Sequence, residues 1–167
     1  RRLAFGIRAI DGLHLLAEPD MSLIAFSSDV VSPFHLVDEM KARGWYVQPQ
    51  LGLHGLKANV HLSITPASLG HVDTFLADLA ASVRAARDQV HGPMVGAIRD
   101  MVAGGGAAAF ASVDGGSLGS LLAAAGIDPQ NLPDRMADIH AMMNALPPDV
   151  ANAALVEFLN SLYTPTA

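Results

Sequence analysis

The sequence lacks cysteine altogether and has only two lysines, Lys41 and Lys57, among its 167 residues. Without cysteine the chain can form neither a disulfide framework nor a thiolate metal site. Its ten lysine and arginine residues are thinly spread and the net charge is −6, so the basic surface of a nucleic-acid-binding protein is missing. No run of about eighteen apolar residues occurs without polar interruption, so we predict no membrane-spanning helix.

Two further absences narrow the function class. No charged-then-apolar leader stands at the start, and we therefore expect a cytoplasmic protein. The glycine run at residues 104–106 is followed by no lysine and preceded by no strand pattern, which argues against a phosphate-binding loop. The hydrophobic fraction is nevertheless 51%. Because so much apolar surface needs a protein partner, we expect self-association.

The first ninety residues carry the pattern of an α+β unit. Leu3, Ile7 and Ile10 form one helical stripe with no capping residue ahead of it, which suggests that the chain enters in mid-helix. Strand patterns follow at residues 13–17, 22–27, 45–51 and 59–65, and helix patterns at residues 33–43 and 72–87. The order predicts a ββαββα two-layer unit. Pro49 marks the third strand as an edge or a bulge.

Local signals place the ends of these elements. Ser32 followed by Pro33 predicts a helix start, and Gly44 predicts its left-handed stop. In residues 59–65 apolar and polar side chains alternate, so Val60 and Leu62 lie on the face opposite His61. Beyond residue 92 the pattern becomes a helical tail, with helices predicted at residues 94–102, 133–145 and 149–162 and a weaker one at residues 117–125.

Several stretches, taken in order, carry a family resemblance. They are Ile10-Asp11-Gly12-Leu13, Arg43-Gly44-Trp45, and residues 19–26, 60–65, 75–79 and 157–163. The ordered set resembles the C-terminal region of the sphingosine-1-phosphate lyase family, including its bacterial members, within the group II pyridoxal-phosphate decarboxylases. Each stretch alone is common, but the set brackets nearly the whole chain. The sequence is therefore identified as similar to that family.

The resemblance implies a domain organisation. Residues 11–91 would be the small C-terminal domain of an aspartate aminotransferase-like, fold type I pyridoxal-phosphate enzyme. Residues 1–10 would end a helix leading from a large domain outside this sequence, and residues 92–167 would be a helical extension. The resemblance also implies a homodimer whose large domain holds most of the pyridoxal 5'-phosphate and supplies the Schiff-base lysine. The small domain would close the site and shape the substrate channel.

Four residues are candidates for that channel: His61, Gln50, His54 and Phe110. In related aminotransferases the strand equivalent to that of His61 often carries the residue that binds the substrate carboxylate, so His61 could bind a carboxylate or phosphate; a histidine satisfied within the fold is the alternative. Gln50 and His54 flank the same turn. Phe110 stands where the family usually has tyrosine, so a hydroxyl that could relay a proton is lost. Residues 114–146 are also longer and richer in alanine than in close family members, and the substrate could differ.

Two other chemistries are less consistent with the residues. Lys57 is preceded by His54 at three positions rather than by an adjacent histidine, and we interpret it as a surface lysine and not as the cofactor lysine. His54 and His61 lack a carboxylate at matching spacing, so no metal site is predicted. Trp45, directly after the helix-stopping glycine, is expected to anchor a helix to the sheet.

Two functions remain open at this stage. The first is the C-terminal portion of a pyridoxal-phosphate-dependent carbon–carbon lyase, either an aldehyde-lyase or a carboxy-lyase, which would be inactive without its large domain. The second is a non-catalytic α+β module that oligomerises through its apolar tail. An upstream reading frame encoding a cofactor lysine would favour the first, and a native start codon just ahead of Arg1 would favour the second.

Overall fold

The computed structural model describes residues 1–53, 55–105 and 132–163, without the side chains of residues 157, 158 and 161–163. The chain divides into two units, residues 1–90 and residues 91–167. The first unit is an α+β structure with a four-stranded antiparallel sheet, which confirms the predicted fold class. Its elements are α1 (Arg2–Arg8), β1 (Leu13–Leu15), β2 (Leu23–Ser28), α2 (Pro33–Ala42), β3 (Gln48–Gln50), β4 (Asn59–Ser63), a 3-10 helix (Pro66–His71) and α3 (Val72–Ala86).

The strands lie in the order β1-β2-β4-β3, and every neighbouring pair is antiparallel. Consecutive β1 and β2 therefore pair directly, as predicted. Pro49 lies in β3, which is an edge strand. No further strand lies beyond β3 in the sheet, so the missing N–H of Pro49 breaks no hydrogen bond on that side. The prediction that Pro49 marks an edge is confirmed.

Alternation along the strands gives the sheet two unlike faces. Ile24, Phe26, Val60 and Leu62 point to one face and form a single buried core with residues of α1, α2 and α3. The opposite face carries polar side chains, with His61 of β4 in its middle. We call this second surface the open face. The prediction that Val60 and Leu62 lie opposite His61 is confirmed.

Capping signals start and end α2 where the sequence predicted. The Ser32 hydroxyl accepts a hydrogen bond from the backbone N–H of Phe34 at 3.3 Å, and Pro33 occupies the first helical position. Gly44 follows the helix with φ of +85°, a conformation in which a Cβ would be strained. Leu36, Val37 and Met40 join the core.

The helix α3 is preceded by a capping box between Thr65 and Ser68. Phe75, Leu79 and Val83 are buried, which confirms the amphipathic helix predicted for this segment.

The third strand is shorter than predicted: Trp45 lies outside it and contacts α3. Its indole N–H donates to the carboxylate of Asp78 at 2.8 Å, and its ring packs edge-to-face on Phe75 at a centroid distance of 5.1 Å. Trp45 is thus an anchor, as expected, and the helix that it holds is α3.

The first helix lies against α3 at a glycine. A Cβ on Gly6 would overlap the end of the Leu76 side chain, so the glycine lets the two helices approach here without displacing that leucine. Ion pairs join the two helices near both ends: Arg2 with Asp73, at 2.5 and 2.7 Å, and Arg87 with Asp11, at 3.3 Å. The starts of α1 and α3 are therefore joined, and so are the residues just after their ends.

In the second unit the structure describes three helices, α4 (Pro93–Ala103), α5 (Ala137–Ala145) and α6 (Pro148–Tyr163). Two of them match the predicted helices closely, whereas α5 begins four residues later than residue 133. Asp138 of α5 accepts hydrogen bonds from the backbone N–H of Gly92 at 3.2 Å, just before α4. The weaker predicted helix at residues 117–125 lies outside the described residues. No helix in the described part of the chain has the length and apolarity needed to cross a bilayer.

Candidate functional site

An open groove of about 1180 Å³ lies in the first unit. Its lining residues come from α1, the turn between β1 and β2, the segment before β3, the 3-10 helix and the start of α3. The polar residues that meet at the strands are Gln48, His61 and Ser63. The groove therefore reaches from the helical layer to the open face of the sheet.

His61 occupies the centre of one cross-strand row. Ala25 of β2 lies opposite it on one side and Gln48 of β3 on the other. Directly opposed Cβ atoms are about 4.5–5.5 Å apart, so the amide of Gln48 can act together with the imidazole. The small Ala25 leaves space beside the ring, and His61 is half-buried. We call His61 and Gln48 the polar floor of the groove.

Gln50, which was predicted from the sequence, shares the open face but lies in another row. It is paired with Asn59 and does not line the groove. Two residues along a strand span roughly 6.6 Å, so Gln50 stands one row away from His61. The sequence reasoning missed Gln48, although Gln48-Pro49-Gln50 alternates in a way that puts both amides on one face. His54 and Phe110 lie outside the described residues.

The row of Gln50 is more buried than the row of His61. Asn59 is buried and its amide donates to the carbonyl of Lys57 at 3.2 Å, while its Oδ1 finds no partner among the described residues. Ser27 is also buried and its hydroxyl donates to the carbonyl of Ala58 at 2.8 Å. The segment just before β4 therefore bonds Asn59 and Ser27 at this end of the open face, and the end near His61 is the more exposed one.

Charged groups of both signs line the groove. Arginines 1, 2 and 8 line it, as do Glu18 and Asp20 of the turn between β1 and β2. Arg8 pairs with Glu18, and Arg2 pairs with Asp73 of α3. All these groups are solvent-exposed to a large extent, so each pair contributes little stability. Arg1 has no ion-pair partner among the described residues.

Neither lysine of the chain lines the groove. The Lys57 side chain is 76% exposed and its Nζ lies 3.3 Å from a carboxylate oxygen of Asp29. Asp29 also contacts Nδ1 of His14 at 3.4 Å, so Lys57 belongs to a small surface charge cluster. Lys41 is on the exposed side of α2. A Schiff-base lysine needs a protected pocket, and neither lysine lies in this groove of the described residues.

Comparison with known proteins gives one family model, which matches residues 96–161 and is described as "Pyridoxal-dependent enzyme, C-terminal putative HTH domain". Curated relatives are named sphingosine-1-phosphate lyase: the protein of Arabidopsis thaliana is 32% identical over 59% of this chain, and that of Oryza sativa subsp. japonica is 32% identical over 50%. The chain spans 17% and 15% of their lengths, respectively.

A solved structure of a sphingosine-1-phosphate lyase from Burkholderia pseudomallei is 31% identical, and the match covers 52% of this chain and 19% of that one. Its TM-score is 0.45, which does not establish a common fold. The family and sequence matches confirm the resemblance that the ordered motifs indicated.

The description of the family model includes HTH, the abbreviation of helix-turn-helix, a motif that often binds DNA. The charge of the matched region shows whether it is suited to DNA binding. Residues 96–161 contain two arginines, Arg99 and Arg135, no lysine, and seven aspartate and glutamate residues. Proteins that bind DNA through a helix-turn-helix place basic groups against the phosphates. A region of this charge would be repelled by a nucleic-acid backbone, which agrees with the exclusion made from the whole sequence.

Proposed function

We propose that this chain is the C-terminal portion of a pyridoxal-phosphate-dependent carbon–carbon lyase, similar to the sphingosine-1-phosphate lyases. The proposal rests on the sequence similarity to those enzymes. The first unit would be the small domain of a fold type I enzyme, and the catalytic lysine would come from a large domain, because neither Lys41 nor Lys57 reaches the groove. The parent enzyme would be a cytoplasmic homodimer.

Within that enzyme the polar floor would bind the anionic group of the substrate. An imidazole and an amide can both donate hydrogen bonds to a phosphate or carboxylate, and bonds to a charged group are stronger than neutral ones. Arg1 lines the same groove and would add positive charge to it. His61 and Gln48 would therefore position the substrate and hold its charge, while Ala25 leaves room beside them.

Apolar residues of the groove suit an aliphatic part of the substrate. Leu3, Ile64, Val72 and Phe75 line it together with the charged groups. A phosphorylated long-chain base has both an anionic head and an apolar tail, and it is the substrate class that this lining favours over a small amino acid. Pyridoxal phosphate, when bound by the large domain, supplies the electron sink for cleavage of the carbon–carbon bond. The residues of this chain would orient the bond to be broken and exclude water from it.

The first experiment locates the cofactor lysine. The 167-residue chain and the full-length polypeptide of the same reading frame are each mixed with pyridoxal phosphate, reduced with borohydride and digested for mass spectrometry. We expect no stable label on the isolated chain and one stoichiometric label on the full-length protein, at a lysine outside these residues. Stoichiometric label on Lys57 would contradict the proposal.

The second experiment decides the substrate class. The full-length enzyme is given a phosphorylated long-chain base or a set of amino acids, and fatty aldehyde and carbon dioxide are measured separately. Aldehyde release supports an aldehyde-lyase. Carbon dioxide release without aldehyde identifies a carboxy-lyase, and release of neither would contradict lyase activity.

A further inference from the structure

We propose that Oδ1 of Asn59 accepts a hydrogen bond from a hydroxyl group of the substrate, one row of the sheet beyond the polar floor. This inference rests on the proposed function and adds to it a residue that selects a hydroxylated substrate. Asn59 is the first residue of β4 and lies on the open face, as His61 does. It is only 7% exposed, so almost all of its surface is buried.

Only half of the Asn59 amide is used within the described part of the chain. Its Nδ2 donates to the backbone carbonyl of Lys57 at 3.2 Å. This bond fixes the orientation of the amide, because a flipped side chain would place two oxygen atoms against each other. Its Oδ1 is buried and has no hydrogen-bond partner among the described residues. A buried acceptor without a donor destabilises a fold, so this atom is a candidate ligand-binding atom.

The neighbouring side chains do not supply the donor. The register of β2 and β4 continues to Ser27 opposite Asn59, and the single O–H of Ser27 donates to the carbonyl of Ala58 at 2.8 Å. Gln50 is opposite Asn59 on β3 and makes no bond to this Oδ1. The described residues therefore offer no donor to the atom, and a bound molecule can supply one.

The chemistry of the position favours a hydroxyl over an ammonium group. An ammonium ion buried against a neutral amide would lack a counter-charge, and burial of an unpaired charge is strongly unfavourable. The carboxylate of Asp29 does not supply that charge, since it contacts Lys57 and His14 and its side chain is 63% exposed. A hydroxyl is neutral and donates one hydrogen bond, which matches one free acceptor.

The spacing of the rows suits the proposed substrate class. Residues two apart along a strand are separated by roughly 6.6 Å, so Asn59 lies about that far from His61. In a phosphorylated long-chain base the hydroxyl stands two carbon atoms beyond the carbon that carries the phosphate, and this head group spans about one row. With the phosphate on the polar floor, the hydroxyl would reach Asn59. An amide oxygen takes no proton from a hydroxyl, so Asn59 binds and orients the substrate without acting as a base.

The segment just before β4 adjoins Asn59 through few contacts. Leu56 is 66% exposed and adds little apolar packing. The ion pair of Lys57 with Asp29 joins two exposed side chains and contributes little stability. Few contacts therefore oppose the small displacement of residues 56–58 that would admit the hydroxyl.

Two alkyl phosphates of equal chain length test the inference, one with a hydroxyl on its third carbon and one without. Neither has an amine, so neither forms a bond with the cofactor, and titration calorimetry measures their affinities for the full-length protein. We expect the unmodified protein to bind the 3-hydroxyalkyl phosphate at least about fivefold more tightly, because a hydrogen bond to a buried acceptor is gained. Equal affinities would overturn the inference.

Asn59→Leu removes the acceptor and keeps the branched shape of the side chain. We expect this variant to bind the two phosphates with affinities within about twofold of each other. Its urea midpoint should stay at or above that of the unmodified protein, because an unsatisfied buried acceptor has been removed. The matched control is Ser27→Ala, at another buried polar residue of the same row, whose hydroxyl has a partner within the chain. Ser27→Ala should lower the midpoint and keep the preference for the hydroxylated ligand.

A preference that survives in Asn59→Leu would overturn the inference. If it survives and the urea midpoint falls, the partner of Oδ1 is a structural water and not a substrate group. Asn59→Ala is measured in the same way, so that the result does not depend on the folding of one variant. The comparison of the two phosphates on the unmodified protein needs no variant at all.

Failure of this inference can be told from failure of the proposed function. Cofactor labelling and carbon–carbon cleavage by a protein that binds the two phosphates equally would leave the function standing and reject the role of Asn59. A preference that depends on Asn59, in a full-length protein that takes up no pyridoxal phosphate, would reject the function and keep the hydroxyl site.

Discussion

Gln48 lies directly opposite His61 across the ladder between β3 and β4, on the open face of the sheet. The two side chains come from separate sequence segments, and only strand pairing puts an amide beside an imidazole. Gln50 shares the face and the residue type but is paired with Asn59. The chain thus contains its own matched control for the proposed binding role of the floor.

Replacing Gln48 by alanine in the full-length enzyme is expected to raise KM about tenfold or more. One hydrogen bond to a charged group is worth about 1.5–3 kcal/mol, and Gln48 is placed to donate one. Gln50→Ala should change KM by less than about threefold, because its side chain does not line the groove. Steady-state kinetics of the two variants make the comparison. A larger effect from Gln50→Ala would show that the register does not set the site.

Substituting Gly6 by alanine is expected to destabilise the first unit by about 1 kcal/mol, because displacing Leu76 costs about 1–3 kcal/mol and the better helix propensity of alanine returns about 1 kcal/mol. Urea unfolding followed by the fluorescence of Trp45, the chain's single tryptophan, measures the change.

The control is the double variant that carries both Gly6→Ala and Leu76→Ala, compared with Leu76→Ala alone. Leu76→Ala removes the atoms that the new Cβ would meet, so Gly6→Ala should add little cost in its presence. Equal costs of Gly6→Ala with and without Leu76 would mean that α1 does not depend on this contact.

Alanine substitutions at Gly12 and Gly44 distinguish the free-energy cost of a strained backbone from the cost of steric overlap. Their φ angles are +82° and +85°, yet a Cβ on Gly12 would overlap Val30 whereas a Cβ on Gly44 meets nothing within 4 Å. Gly44→Ala is expected to cost about 1–2 kcal/mol from the left-handed conformation alone. Gly12→Ala should cost about 1–3 kcal/mol more. Chemical unfolding of both variants tests the difference, and equal losses would argue against the overlap with Val30.

Removing the acceptor for Trp45 is expected to loosen its anchor on α3. Asp78→Ala leaves the indole N–H without its 2.8 Å partner and should cost about 1.5–3 kcal/mol. Asp78→Asn keeps an acceptor oxygen and should cost less. Unfolding by urea gives the free energies, and the emission of Trp45 should shift to longer wavelength in the alanine variant. Identical stabilities of the two variants would argue against a role for this hydrogen bond.

The sequence predicted those parts of the fold that depend on neighbouring residues. Ser32 and Gly44 placed the ends of α2, the spacing of Phe75, Leu79 and Val83 showed α3, and alternation showed which side of β4 faces the core. These signals are local, because capping, helical periodicity and strand alternation all act within a few residues. The third strand, β3, was predicted too long for the opposite reason, since Trp45 ahead of it is bonded to Asp78, which is distant in sequence.

The sequence by itself determined the α+β class and the family likeness, since residue types, their order and their short-range spacing suffice for these. The tertiary structure alone decided that Gln48 rather than Gln50 stands beside His61, and that Phe5, Met21, Tyr46 and Leu69 surround one groove. The pairing register of the strands and the meeting of these residues at one groove both arise from contacts between distant segments. A shift of one residue in the pairing would turn every side chain of a strand to the other face. No local pattern encodes such contacts.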